Sequence, residues 1–369
     1  MSPRLVAALL PPEPSSVELI ERVWASGDAL LPLDPALSAP ERAGLLARMR
    51  PYALLDGPGE IPLDDAVPVE VGTALVVATS GTTGLPKGVV LGHAALEAAI
   101  EATNERVGAE QGQRWLCCLP LAHIAGLMTI LRSRALGTEA IVHPRFDVEA
   151  IRSEVRARFV SVVPTMLHRL LEAGVDLSRF SRVLVGGAAV DEGLIGRARE
   201  RGVEVSVTYG MTETSGGVVY DGVPLPGVGI DLDDDGRISI ASPTLMSGYR
   251  FDDGATAGAL VDGRFVTQDR GVWDEDGRLR VLERLDRTII TGGKNVSPGE
   301  VEEALLAHPE VLEATVRGVP DETWGQRVVA EVVPKDPHSP PAVEDLAMFL
   351  RDRLSRYKLP DPIRLVLDR

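Results

Sequence analysis

Ala74-Leu75-Val76-Val77-Ala78-Thr79-Ser80-Gly81-Thr82-Thr83-Gly84-Leu85-Pro86-Lys87-Gly88 is an apolar run of strand length that breaks into three glycines, four hydroxyls and a lysine. Glycine permits positive φ and close backbone approach, hydroxyls and freed N–H groups can surround an anion, and Lys87 adds a mobile point charge. The pattern predicts a buried strand leading into a phosphate grip made of Thr79, Ser80, Gly81, Thr82, Thr83, Gly84 and Lys87. It is not a Walker A loop, because Lys87 lies between Pro86 and Gly88 and no Ser or Thr follows a Gly-Lys pair. A surface turn is the competing reading of Gly, Thr, Ser and Pro, and the lysine and the density of hydroxyls argue against it.

Outward from this loop, to about Tyr209, apolar runs of strand length alternate with amphipathic helical stretches. The strands are expected at 74–78, 115–119, 140–143, 159–163, 183–185 and 203–207, and the helices at 94–106, 124–136, 148–157, 165–172 and 191–201. Such alternation predicts an α/β fold with a mostly parallel sheet covered by helices, and ligands in such sheets sit beyond the carboxyl ends of the strands. The 79–88 loop, Leu119–His123, Gly186-Gly187-Ala188 and Tyr209-Gly210-Met211-Thr212-Glu213-Thr214 all fall at such ends. Before residue 60 the text reads as proline-rich turns with helices near 17–25 and 40–49. From 216 to about 282, Gly and Asp turns between short strands predict a β-rich subdomain. Beyond it, Ser297, Pro298 and Glu300 mark a helix start with a capping box, and strand-like runs near 311–316 and 328–333 with a helix at 343–356 complete a small α+β unit. The domains are therefore expected at 1–284 and 285–369.

Composition narrows the function. Acidic residues outnumber basic ones 54 to 38, a net charge of −16, which disfavours nucleic-acid and anionic-membrane surfaces and asks for a local basic pocket if the ligand is anionic. There is no basic leader before a long apolar run and no membrane-spanning stretch, which predicts a cytoplasmic protein. The neighbouring Cys117 and Cys118 point to opposite faces of a strand and make no disulfide framework. The histidines lack metal-ligand spacing, so no zinc site is expected, and no Gly-x-Ser-x-Gly elbow is present.

Taken in order, the motifs resemble those of the adenylate-forming superfamily of acyl-CoA synthetases, nonribosomal-peptide adenylation domains and luciferases. Thr79–Gly88 is similar to the family's phosphate loop, Gly186-Gly187-Ala188 to its adenine-side loop, and Tyr209–Thr214 to its Tyr-Gly-x-Thr-Glu motif. Thr267-Gln268-Asp269 stands where the family has Thr-Gly-Asp, and Arg284-Leu285-Asp286 resembles the hinge, with Asp286 as the pivot. The resemblance implies ATP, Mg²⁺ and CoA as cofactors and a small carboxylic acid as substrate. A carboxylate attacks the α-phosphate to give an acyl-adenylate, which then passes to CoA. Ser80, Thr82, Thr83 and Lys87 would hold the departing phosphates, Thr212 the α-phosphate, and Glu213 the metal. Tyr209, with Gly210 and Met211, would stack on adenine, and Asp269 with Arg284 would take the ribose. His123 would lie near the acyl group and thiol route, and Gly292-Gly293 with Lys294 would close over the pantetheine arm.

Only about 70 residues precede the phosphate loop. With Leu119–Leu127 and Gly216–Gly222, that shortness resembles the compact o-succinylbenzoate-CoA ligases of actinobacterial menaquinone biosynthesis. The second carboxylate of such a substrate wants a polar or cationic partner, for which Ser215, Thr165 and Arg134 are candidates. Ligation of another aryl or fatty acid, and a catalytically impaired nucleotide or acyl-adenylate binder, remain alternatives. Homo-oligomers occur in the class and are not legible here. The family's catalytic lysine lies in a Gly-Lys segment near its C-terminus, and this sequence stops where that segment should begin. The expectation is either a truncated chain or impaired adenylation with thioesterification retained. Lys358 belongs to the earlier Tyr-Lys-x-Pro stretch and reads as a solvated lysine ending a helix.

Overall fold

Residues 74–77 are buried in the strand Thr73–Thr79, as an apolar run covered on both faces requires. The structure, a computed structural model, describes residues 2–57, 59–79, 86–188, 190, 192–284, 288–336 and 339–366. Met1–Pro35, Met49–Ala78 and Gly88–Leu285 form one compact unit, and Ala36–Arg48, Thr79–Lys87 and Asp286–Arg369 form a second.

The first unit is mixed α/β, with two seven-stranded sheets and one of five strands. One large sheet runs in the order Gly248–Tyr249, Lys87–Gly92, Thr73–Thr79, Ala29–Leu33, Leu5–Leu9, Ala53–Asp56, Gly59–Pro62. The helices expected before residue 60 form, Pro14–Ala25 in this unit and Ala39–Met49 almost wholly in the second. The stretch is not otherwise turns, however, since Leu5–Leu9 and Ala29–Leu33 are buried parallel strands at the centre of the sheet. Five-residue runs, one interrupted by Pro32, carry little periodic signal, and their partners at Ala53–Leu55 and Leu75 are distant in sequence.

In the other large sheet Ile141–Val142, Trp115–Cys117, Phe159–Val162, Arg182–Val185 and Val205–Met211 pair in parallel. Segments 118–123, 186–188 and those following residue 208 therefore line one edge of the sheet. The last strand is longer than the expected 203–207. Residues Thr208–Met211 turn back against Gly216–Tyr220 as an antiparallel hairpin, so Tyr209, Gly210 and Met211 lie on the strand itself. The helix Val148–Ser153 stops before the expected 157, because the carboxylate of Glu154 accepts the N–H of Arg156 and pairs with its guanidinium at 2.8 Å. Cys117 and Cys118 pack into different cores on the two faces, and burial pushes the Cys117 thiol up to about 12. The five-stranded sheet comprises Gly229–Leu232, Arg237–Ala241, Leu260–Val261, Arg264–Trp273 and Leu279–Arg284, whereas Gly216–Tyr220 and Val223–Pro224, expected in the same β-rich subdomain, extend the second large sheet and Gly248–Tyr249 the first.

In the second unit the helices Pro298–Leu306 and Val343–Arg351 share a core with a sheet built on the long hairpin Val311–Asp321 and Gly325–Pro334. Ser297 caps the first of these helices, its hydroxyl accepting the N–H of Glu300 at 3.4 Å. The expected reciprocal half of the capping box is replaced, because Glu300 reaches Lys358 Nζ at 2.7 Å. Lys358 is not solvated but 7% exposed, and its ammonium also donates to Glu41 at 2.8 Å. Glu41 meanwhile completes a capping box with Ser38 and accepts the Ser355 hydroxyl. Burial would lower the pKa of Lys358, but the Tyr357 phenol and the carboxylates of Glu300 and Glu41 raise it above the ordinary lysine value. Burial pushes Glu300 up, while for Glu41 the ammonium and hydroxyls outweigh burial and hold it low. Lys358→Met, which leaves these carboxylates buried without their cation, is expected to destabilise this unit by about 3–5 kcal/mol, read from urea unfolding followed at Tyr357 and Trp324.

Candidate active site

The hairpin that ends the second large sheet sets the geometry. Gly210 faces the carbonyl of Gly216 so closely that any Cβ there would fall inside its van der Waals shell, and a Cβ on Gly217 would lie 2.7 Å from the Tyr220 ring. Between the strands, Thr212–Thr214 forms a single 3₁₀ turn that ends on Ser215 in the left-handed region at φ +54°. The Thr214 hydroxyl takes the N–H of Met211 and donates to the carbonyl of Gly216 at 2.7 Å. The Ser215 hydroxyl donates to the Thr244 carbonyl at 2.8 Å. Tyr209 to Glu213 remain half-buried, so the turn keeps one side accessible.

Two expected site residues meet directly. The phenol of Tyr209 donates to Asp269 Oδ2 at 2.8 Å, although they lie on different sheets. Asp269 is 4% exposed, its N–H donates to the Thr267 hydroxyl, and its backbone pairs with Arg284. Gln268, where the resemblance implies Gly, points to solvent and leaves that geometry intact. Gly186 packs against the Thr208 side chain too tightly for a Cβ, and Gly187 takes φ +79°, so Gly186-Gly187-Ala188 runs beside the strand that carries Tyr209. The phenol of Tyr249, which sequence reading passed over, donates to Glu213 Oε1 at 2.9 Å.

His123 is half-buried at the start of the helix Ile124–Ala135, where its carbonyl accepts the N–H groups of Gly126 and Leu127. On that helix Arg134 faces outward and pairs with Glu21. Arg132 faces inward and is 5% exposed. Its guanidinium lies over the Trp115 ring at 5.3 Å, its Nε has no hydrogen-bond partner, and no carboxylate among the described residues pairs with it. Burial lowers its pKa. A Cβ on Gly216, which has φ +106°, would be 3.8 Å from Arg132 Nη2, so the cation sits directly behind the Thr212–Ser215 turn. Its signal in sequence is only a charged residue within an apolar helical run. Of the other candidates, Ser215 already donates to Thr244, and Thr165 lies on the helix Pro164–Glu172.

The ends of the expected phosphate loop are strand residues, with Thr79 closing Thr73–Thr79 and Lys87 opening Lys87–Gly92. Ser80, Gly81, Thr82, Thr83, Gly84 and Asp286, expected as the hinge, lie outside the described residues. In the second unit Gly292 and Gly293, at φ +55° and +77°, join the strands Ile289–Thr291 and Lys294–Val296, a turn that requires left-handed backbone. Lys294 Nζ lies 4.4 Å from the centre of the Tyr357 ring.

Residues 61–250 match the AMP-binding enzyme family, and residues 300–369 match the AMP-binding enzyme C-terminal domain. The chain belongs to the AMP-binding enzymes. It is 39% identical over 307 residues to a probable 2-succinylbenzoate–CoA ligase of Mycobacterium tuberculosis, covering 79% of each chain. Its fold is similar to that of o-succinylbenzoate CoA synthetase from Bacillus subtilis. The double mutant bound to a product analogue matches with TM-score 0.91 and 30% identity, over 99% of this chain and 85% of that one. The complex with ATP and magnesium ion matches with TM-score 0.71 and 29% identity, over 98% and 86%.

For this AMP-binding enzyme, Gly210→Ala forces backbone apart at the hairpin, since the obstructing atoms are those of Gly216 and Gly217. A melting temperature lower by roughly 5 °C in a thermal scan is the expected result.

Proposed function

We propose that this chain is an AMP-forming acid–CoA ligase that converts o-succinylbenzoate to o-succinylbenzoyl-CoA for menaquinone biosynthesis. The observation that carries the choice of acid is Arg132, a buried guanidinium with no carboxylate partner among the described residues, behind the Thr212–Ser215 turn of a chain whose relatives are named for this substrate. A buried charge is expensive unless it is paired, so such a cation is best explained by a ligand carboxylate. Arg250 shows the other solution. It too is buried without a carboxylate partner among the described residues, but it donates to the carbonyls of Met49, Val67 and Pro68.

An acid with two carboxylates must present one and park the other. In this reading Arg132 holds the unreactive carboxylate, and the reacting one faces the α-phosphate near Thr212. Its oxygen bonds to the α-phosphorus, the bond to the bridging oxygen breaks, and pyrophosphate leaves. The Ser80–Lys87 loop receives the departing phosphates, and Asp269, oriented by Tyr209, accepts the ribose hydroxyls while the Tyr209 ring and Gly186–Ala188 flank the base. Glu213 would hold magnesium through the hard oxygen that this ion prefers. Magnesium, when bound, neutralises charge on the phosphate oxygens. In the second half-reaction the CoA sulfur attacks the acyl carbon and the bond to AMP breaks, with His123 beside the acyl group and Gly292, Gly293 and Lys294 receiving the pantetheine arm. Residues 1–284 would bind acid and nucleotide, and 285–369 would serve as the mobile domain with Asp286 at its hinge. No helix among the described residues is long and apolar enough to cross a membrane, and dependence on ATP and CoA favours the cytoplasm.

Mass spectrometry of reactions with Mg-ATP, CoA and o-succinylbenzoate, benzoate or a medium-chain fatty acid tests the reading. Thioester and AMP from o-succinylbenzoate in preference to the others is the expected result, and thioester only from another acid would overturn the substrate assignment. Arg132→Met is expected to raise KM for o-succinylbenzoate by at least about 100-fold, with a much smaller effect on any residual use of benzoate.

A further inference from the structure

The segment Thr244–Arg250 bonds on its two sides to two separate parts of the first unit. On one side its backbone docks on the strand leaving the 79–88 loop. Gly248 and Tyr249 pair antiparallel with Val90 and Val89, the N–H of Ser247 donates to Val90, and that of Arg250 donates to Gly88 at 2.8 Å. On the other side it grips the Thr212–Ser215 turn. The Thr244 carbonyl accepts the Ser215 hydroxyl, the N–H of Met246 donates to the Glu213 carbonyl at 2.8 Å, and the Tyr249 phenol donates to the Glu213 carboxylate at 2.9 Å. Gly88 abuts Met49 and Val76 with no room for a Cβ, so the strand under this segment is itself fixed.

We propose that Tyr249 is a positioning residue that sets the orientation of the Glu213 carboxylate toward the nucleotide-bound divalent cation and holds it in register with the strand that leaves the phosphate loop. The inference rests on the reading of Glu213 as a metal ligand. Packing accounts for the ring, which is 9% exposed, but a phenylalanine would pack as well, and only the hydroxyl reaches Glu213. The ring is held from behind: the Tyr249 N–H donates to the Thr256 hydroxyl, which donates to the Asp252 carbonyl, each at 2.8 Å. A group that orients a ligating carboxylate changes metal affinity without touching the metal.

The test uses the full chain saturated with α,β-methylene-ATP and measures bound Mn²⁺ by electron paramagnetic resonance for wild type, Tyr249→Phe and Glu213→Gln. Binding of the analogue in EDTA is measured beside it. Tyr249→Phe is expected to raise the Mn²⁺ dissociation constant about 10–100-fold while leaving metal-free binding of the analogue within about twofold, a split that general loosening of the fold would not give. Mn²⁺ affinity unchanged in Tyr249→Phe but reduced in Glu213→Gln overturns the role of Tyr249 alone. Affinity unchanged in both removes Glu213 from the metal site, and the proposal falls with it. Equal losses of Mn²⁺ and metal-free nucleotide binding in Tyr249→Phe also overturn it, because the tyrosine would then support the fold and not the metal.

Discussion

A chain that reverses direction between strands must satisfy its backbone polar groups without a ladder partner, and the Thr212–Ser215 turn is the place where this structure meets that demand. Ser215 is fully buried in a left-handed conformation, which a serine adopts only under constraint from its surroundings. The constraint comes from the Thr214 hydroxyl, which ties Met211 to Gly216, and from Thr244 and Met246, which bind the turn from outside. Glycines at 210, 216 and 217 let the two arms of the hairpin approach as closely as they do. The result is a turn rigid on its buried side and accessible on the side that carries Tyr209, Thr212 and Glu213.

Three buried cations show how differently the same desolvation problem is solved. Lys358 sits between the carboxylates of Glu41 and Glu300, a closed set in which each charge has a protein partner. Arg250 spends its donors on main-chain carbonyls and serves as a staple for the segment near Met49 and Val67. Arg132 has a tryptophan face and no carboxylate partner among the described residues. The first two arrangements are complete among those residues and the third is not, and its proposed role in recognition rests on that distinction rather than on the mere presence of arginine.

The α/β alternation from 74 to 209 and the order of the later motifs were legible in the sequence, because strand burial and turn chemistry depend on neighbouring residues. The central strands Leu5–Leu9 and Ala29–Leu33 were not, since five-residue runs become strands only when distant partners supply the ladder. Lys358, read as solvated, is buried because Glu41 lies more than three hundred residues away in sequence. The sequence by itself determined which chemistry this chain is equipped for: it names the donors, acceptors and charges, and their order. The tertiary structure decided which of those groups face one another. It turned Arg132 inward and Arg134 outward, and brought Tyr249 to Glu213 and Tyr209 to Asp269, because burial, pairing and orientation are set by atoms that approach only after the chain has folded.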